Sequence, residues 1–148
     1  MRKIFFILFV SLFALTSCKK TNETKDTFVI DNYTKQEVDI EMRDGIKLHT
    51  TIYSPKDTSK EYPILMQRTP YSSRPYGKEM RTKIGPNVHL MKEGNIIVYQ
   101  DVRGRWMSEG VYDNMRAYIP NKKENESDEV SDTYDTIDWL VKNVENNN

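Results

Sequence analysis

Strict alternation of apolar and polar residues begins at Val38. Val38, Ile40 and Met42 are separated by Asp39 and Glu41, and beyond Asp44-Gly45 the residues Ile46, Leu48 and Ile52 alternate with Lys47, His49 and Thr51. A period of two predicts a pair of half-buried strands. Asp-Gly ordinarily marks a two-residue hairpin turn. That register would set Arg43 opposite Ile46 and Met42 opposite Lys47, with the apolar sets on opposite faces. A longer loop, Arg43-Asp44-Gly45, pairs Met42 with Ile46 and Ile40 with Leu48, and gives Gly45 the left-handed position of a bulge. The second register is therefore expected. Further on, Pro63 to Gln67 and Asn95 to Gln100 are nearly continuous apolar runs, the pattern of strands covered on both faces. Between them a helix is expected from Pro86 to Lys92, closed by Gly94. Last, Val130, Tyr134, Ile137, Leu140, Val141 and Val144 recur at three-and-four spacing, which predicts a helix burying that stripe. Its acidic start (Asp128, Glu129, Asp132) and Lys142 near its end suit the helix dipole.

The order is hairpin, strand, helix, strand, long loop, helix. Buried strands separated by helices pair in parallel through crossovers, so the fold class is α/β. An antiparallel hairpin followed by strand-helix-strand-helix fits the front half of an α/β-hydrolase sheet, and other α/β folds as well.

The chain opens differently. Arg2 and Lys3 precede the apolar run Ile4 to Leu15, and Leu15-Thr16-Ser17-Cys18 follows. As a helix that run reaches roughly 18 Å against roughly 30 Å for a bilayer core, too short to span well, so it reads as the centre of a secretory signal. The small residues before Cys18 resemble the lipobox of bacterial lipoproteins. This implies cleavage before Cys18, lipid attached to that residue, and an exported protein held on a membrane at the periplasmic or outer-membrane face. Residues 1–17 are thus expected to be a signal peptide. Residues 18–34, with the polar run Lys19 to Thr27, are read as a flexible tether, and residues 35–148 as the domain.

Charge and cysteine content narrow the function. The 22 basic and 22 acidic residues balance, which leaves no basic footprint for nucleic acid. Cys18 is the sole cysteine, so an intramolecular disulfide is excluded. There is no zinc-ligand spacing, phosphate loop or dinucleotide glycine pattern, and no metal or cofactor is expected.

Four strings carry more specific information: MRDGIKLHTTIYSP (Met42 to Pro55), QRTPY (Gln67 to Tyr71), QDVRGRWMSEG (Gln100 to Gly110) and DTYDTIDWLVKN (Asp132 to Asn143). Together they resemble the N-terminal part of the cocaine-esterase-like and Xaa-Pro dipeptidyl-peptidase-like serine hydrolases, most of all the α-amino acid ester hydrolases. The resemblance implies an α/β-hydrolase that cleaves small acyl esters or amides through an acyl-serine. It leaves open a homo-oligomer of the full-length enzyme. Such chemistry needs a GxSxG turn to present the serine, with acid and histidine later in the chain. The glycines here are at 45, 77, 85, 94, 104 and 110, and no two are four apart. The segment around Ser108 has only the trailing Gly110. The chain is therefore expected to stop before the nucleophile turn and to lack the triad. The alternative is a lipid-anchored binding protein, or the remnant of a decayed hydrolase, with no catalysis of its own.

One catalytic element is expected inside these residues. The resemblance assigns the tyrosine of the RxPY motif, Tyr71, an oxyanion-stabilising hydroxyl; spacing alone reads it as a loop tyrosine that packs its ring. His49, on the polar face of a strand, and His89 are read as surface histidines. Asp101 and Arg103 are read as loop anchors beside Gly104. Trp106 either lines a pocket or covers the sheet. Asp128, Asp132 and Asp135 share a helix face and are read as solvated rather than as a cation site.

Overall fold

The computed structural model describes residues 26–148. Strands β1 (Tyr33–Glu41) and β2 (Lys47–Pro55) form the hairpin in the longer-loop register, with Ile40 opposite Leu48. The Met42 amide donates to the Ile46 carbonyl at 2.8 Å, and Gly45 has φ +82°. A two-residue turn would have reversed one set of apolar side chains, so burial decided the register against the local turn preference.

Two further strands, β3 (Ile64–Thr69) and β4 (Ile96–Asp101), run parallel to each other, and the sheet order is β1-β2-β4-β3. β4 also pairs antiparallel with β2. It is therefore central, and all of its residues are buried. β3 is an edge strand, and its apolar residues Ile64, Leu65 and Met66 are only half-buried. At its start, Tyr62 makes an isolated parallel bridge to Asn147.

Two cores fill the two faces. On one, Ile40, Leu48, Ile52, Ile96 and Val98 pack with Leu140 and Val144 of helix α3 (Glu129–Asn143) and the turn after it. On the other, Tyr53, Ile97 and Tyr99 pack with Val29, Tyr33, Ile84 and Met91. Met91 lies on α2 (Val88–Glu93), which is capped by Asn87 and ends on left-handed Gly94, as its sequence requires.

The folded body begins earlier than residue 35. Helix α1 (Phe28–Asn32) and the first residues of β1 take up part of the segment read as tether. Val29 and Tyr33 are buried there, and the Tyr33 hydroxyl donates to the Met91 carbonyl at 2.6 Å. The signal, Cys18 and the rest of the tether lie outside the described residues. Among the described residues no helix is long and apolar enough to cross a membrane.

α3 corrects two expectations. Of the stripe expected to be buried, only Leu140 and Val144 are; Val130, Tyr134, Ile137 and Val141 are exposed. The face turned to the sheet carries Ser131, Asp132, Thr136 and Leu140 instead. Polar partners under the helix set this rotation. Asp132 meets Arg103, and the Gln100 amide donates to Thr136 Oγ1 at 3.0 Å. The displaced stripe borders the β3 edge, where Ile137, Leu140 and Val141 line a recess with Pro63, Ile64 and Met66. The acidic residues are not solvated either: Asp128 and Asp132 are fully buried, and Asp135 is paired with Arg43 at 2.7 Å.

Candidate functional site

The carboxyl ends of β3 and β4 lie side by side, with Thr69 paired to Asp101. Ligands in open α/β sheets bind in this position. Two loops rise from it, the first over residues 70–79 and the second over residues 102–110. Asp101, the last residue of β4, joins them. Its buried carboxylate accepts from the Ser73 amide at 2.7 Å, the Tyr76 hydroxyl at 2.7 Å and the Met107 amide at 3.3 Å. Its carbonyl accepts from Ser108 Oγ at 2.6 Å, and Ser108 Oγ in turn accepts from the His49 amide at 2.8 Å. Ser108 is thus a buried structural link, with no histidine ring nitrogen bonded to its oxygen.

Arg103 anchors the second loop to α3. It donates to both Asp132 oxygens, at 2.9 and 2.6 Å, and to both Asp44 oxygens, at 2.8 and 3.1 Å. Burial alone would favour neutral Arg103, but its bonds to Asp132 and Asp44 outweigh that and push its pKa up. For Asp132 burial acts upward, while Arg103, Ser127 and Arg116 more than offset it and hold the carboxyl below its ordinary range. Gly104 next to this arginine has φ +68°, and a Cβ there would lie 2.1 Å from the Tyr112 amide nitrogen. The Arg-Gly pair in the motif therefore has two separate causes, a buried ion pair and a backbone crossing.

The first loop carries Tyr71. Its amide donates to Thr69 Oγ1 at 3.0 Å, while the residue is 85% exposed and its hydroxyl makes no hydrogen bond among the described residues. The ring does not pack locally, contrary to the reading from spacing alone. Trp106 reaches across from the second loop and donates its indole N–H to the Pro70 carbonyl at 2.9 Å, and the Arg74 guanidinium stands 4.8 Å over its ring. Trp106 is half exposed, so it ties the loops together rather than covering the sheet.

His49 departs from its expected place. It is 7% exposed, its Nδ1 is 2.9 Å from Asp39, and the Tyr76 ring meets it edge-on at 5.4 Å between centroids. The first loop folds over the polar face of the hairpin and covers it. Lys35 fastens that loop by donating to the carbonyls of Pro75, Gly77 and Glu79, and Glu37 accepts from the Gly77 amide. His89 is exposed.

The structure thus brings Tyr71, Asp101 and Trp106 to one end of the sheet and ties Arg103 beneath them. It places His49 on the hairpin and Asp128, Asp132 and Asp135 in ion pairs with Lys122, Arg103 and Arg43. Sequence reasoning missed Tyr76, whose hydroxyl binds Asp101. Burial pushes that phenol's pKa up, the hydrogen bond to Ser72 opposes, and the neighbouring Asp101 carboxylate adds to the rise. The one signal for Tyr76 was its place in the Pro-rich loop that also holds Tyr71, Ser72 and Ser73.

The sequence model of the X-Pro dipeptidyl-peptidase (S15) family matches residues 44–148. Cocaine esterase of Rhodococcus sp. (strain MB1 Bresler) is 29% identical over 103 residues, covering 70% of this chain and 16% of the esterase. An aminopeptidase from a marine sediment Thaumarchaeota archaeon superposes with TM-score 0.68 and 40% identity, over 79% of this chain and 20% of that one. A selenomethionine-labelled α-amino acid ester hydrolase gives TM-score 0.68 and 38% identity, over 90% of this chain and 23% of that one. The chain therefore spans about a fifth of the length of these relatives.

Proposed function

The chain belongs to the X-Pro dipeptidyl-peptidase (S15) family, and from that premise we propose that it supplies the oxyanion-stabilising part of a serine hydrolase acting on small acyl esters or amides. Acyl transfer to a serine puts negative charge on the former carbonyl oxygen. A donor held ready for that oxygen stabilises the transition state more than the ground state. In α/β-hydrolases one such donor comes from the loop after the third strand. The observation that carries the reading is Tyr71, a phenol free to donate, projecting from an anchored loop at the carboxyl end of a parallel strand pair.

The mechanism assigns separate tasks to the residues present. Tyr71 donates its hydroxyl proton to the developing oxyanion as a hydrogen bond, without transferring it. Asp101 and Trp106 keep the two loops closed around the site. Arg103 and Asp132 hold the second loop on α3. These 148 residues contain no GxSxG turn to present a serine, and none of them is assigned the part of nucleophile, acid or base. Lipid on Cys18 would hold the protein on the membrane after export.

Two experiments test the reading. The chain alone is expected not to turn over p-nitrophenyl acyl esters; turnover blocked by a serine-directed inhibitor would contradict it. Residues 44–148 exchanged for the matching segment of the α-amino acid ester hydrolase are expected to give a chimera that hydrolyses an α-amino acid ester and is silenced by that inhibitor. A folded, inert chimera would overturn the assignment.

A further inference from the structure

Tyr71 has a peculiarity that its motif does not explain. Its side chain is largely free of contacts, so the fold directs it through the orientation of its Cα–Cβ bond, which the backbone at 71 and 72 sets. That backbone is unusual. Ser72 has φ +101°, in the region that residues with a Cβ avoid. Such a conformation persists only where the surroundings over-determine it.

The surroundings here are a short chain of hydrogen bonds ending on a buried carboxylate. Tyr76 has one hydroxyl proton, and it goes to Asp101 Oδ2 at 2.7 Å. The 3.1 Å contact between Ser72 Oγ and the Tyr76 oxygen is therefore donated by the serine. Ser72 Oγ also accepts from the Arg74 amide at 3.1 Å, and the Ser73 amide donates to Asp101 Oδ1 at 2.7 Å. Ser72 is thus gripped through its side chain and through the next peptide. The Tyr76 ring cannot easily move, because it rests edge-on against buried His49, which Asp39 holds in turn.

We propose that Tyr76 and Asp101 are positioning residues, which aim the Tyr71 phenol by holding Ser72 in its left-handed backbone conformation. This rests on the reading of Tyr71 as the oxyanion donor, and it adds what makes that donor ready before substrate arrives. Neither residue touches substrate; both act through Ser72.

The test uses the full 148-residue chain, isotope-labelled for NMR. In the unaltered chain Ser72 is expected to show the strong intraresidue amide-to-Hα cross-peak that a positive φ produces. Tyr76→Phe removes one oxygen, strands the Ser72 proton and leaves Asp101 Oδ2 without its phenol. The cross-peak is expected to weaken and the Ser73 and Arg74 amides to exchange at least tenfold faster over and above whatever acceleration the β4 amides show from the global loss of stability. Adding Ser72→Gly should restore slow exchange at Ser73, because glycine adopts positive φ freely. A purely structural role for Tyr76 would not give this rescue. Ser72→Ala leaves Tyr76 and Asp101 in place; it is expected to produce the same local change and decides the matter should Tyr76→Phe not fold. An unchanged cross-peak and unchanged exchange in the variants would overturn the proposal, as would acceleration at Ser73 and Arg74 no greater than that over β4. These readouts are independent of catalysis. A loop that loosens as expected, beside a chimera indifferent to Tyr71→Phe, would refute the oxyanion reading and leave the positioning intact.

Discussion

Asp101 and Asp132 are both fully buried carboxylates, and they are surrounded by different kinds of partner. Asp132, under the start of α3, faces the guanidinium groups of Arg103 and Arg116. Asp101, at the mouth of the sheet, faces two backbone amides and a phenol. An ion pair tolerates small displacements, since charge attraction falls slowly with distance. Hydrogen bonds from neutral donors weaken steeply once bent or stretched. The first arrangement therefore fastens elements together, and the second fixes a geometry. The QDVRG string contributes one residue to each arrangement, Asp101 to the loops and Arg103 to the helix.

The largest expected effect belongs to the fastening cluster. Asp132→Asn leaves the buried Arg103 guanidinium and the half-buried Arg116 guanidinium short of charge and should cost about 3–5 kcal/mol, read by urea unfolding at neutral pH. A loss under about 1 kcal/mol, the size of a surface pair, would erase the distinction between the two aspartates. The pH dependence sharpens it. Asp132 and, through Arg43, Asp135 have folded-state pKa values held below the ordinary range. Each contributes stability that is fully present above the unfolded carboxyl value of about 4 and is lost as pH falls through the lower folded value. Acid titration followed by circular dichroism should therefore show stability declining below about pH 4, with a shallower decline in Asp132→Asn. A decline of equal steepness in the variant would mean that Asp132 is not a source of it.

The positioning cluster should respond on a smaller scale. Tyr76→Phe removes one hydrogen bond to a charged acceptor and should cost about 1–3 kcal/mol globally, with its main effect confined to the first loop. Tyr71→Phe should change the unfolding free energy by less than about 0.5 kcal/mol, because the ring is exposed. A larger loss would show that the phenol is structural and has no claim to a catalytic role.

Much of this fold could be read in the sequence, for identifiable reasons. The hairpin register was legible because burial permits one pairing of Ile40, Met42, Ile46 and Leu48. Gly94 marked the end of α2 through its left-handed conformation. The rotation of α3 was not legible. Its apolar stripe predicted the buried face, yet Arg103 and Gln100 on β4 and the following loop drew Asp132 and Thr136 inward and left Ile137 and Val141 exposed. Long-range polar pairing leaves no periodic trace. His49 failed for a related reason, since only the fold brings the loop around Tyr76 over the hairpin. At the site, the anchoring role of Asp101 was legible through its place at a strand end. Tyr76 and Ser72 were not, because a positive φ at a serine has no signature in composition.

The central claim is that Tyr71 stabilises the reaction's oxyanion, and kcat in the chimera with the α-amino acid ester hydrolase tests it most directly. Tyr71→Phe is expected to lower kcat by about 10²–10³-fold, the usual consequence of removing one oxyanion donor, with KM nearly unchanged. A folded Tyr71→Phe chimera whose kcat stays within about twofold of its parent would contradict the claim, since even one lost neutral hydrogen bond in the transition state should exceed that.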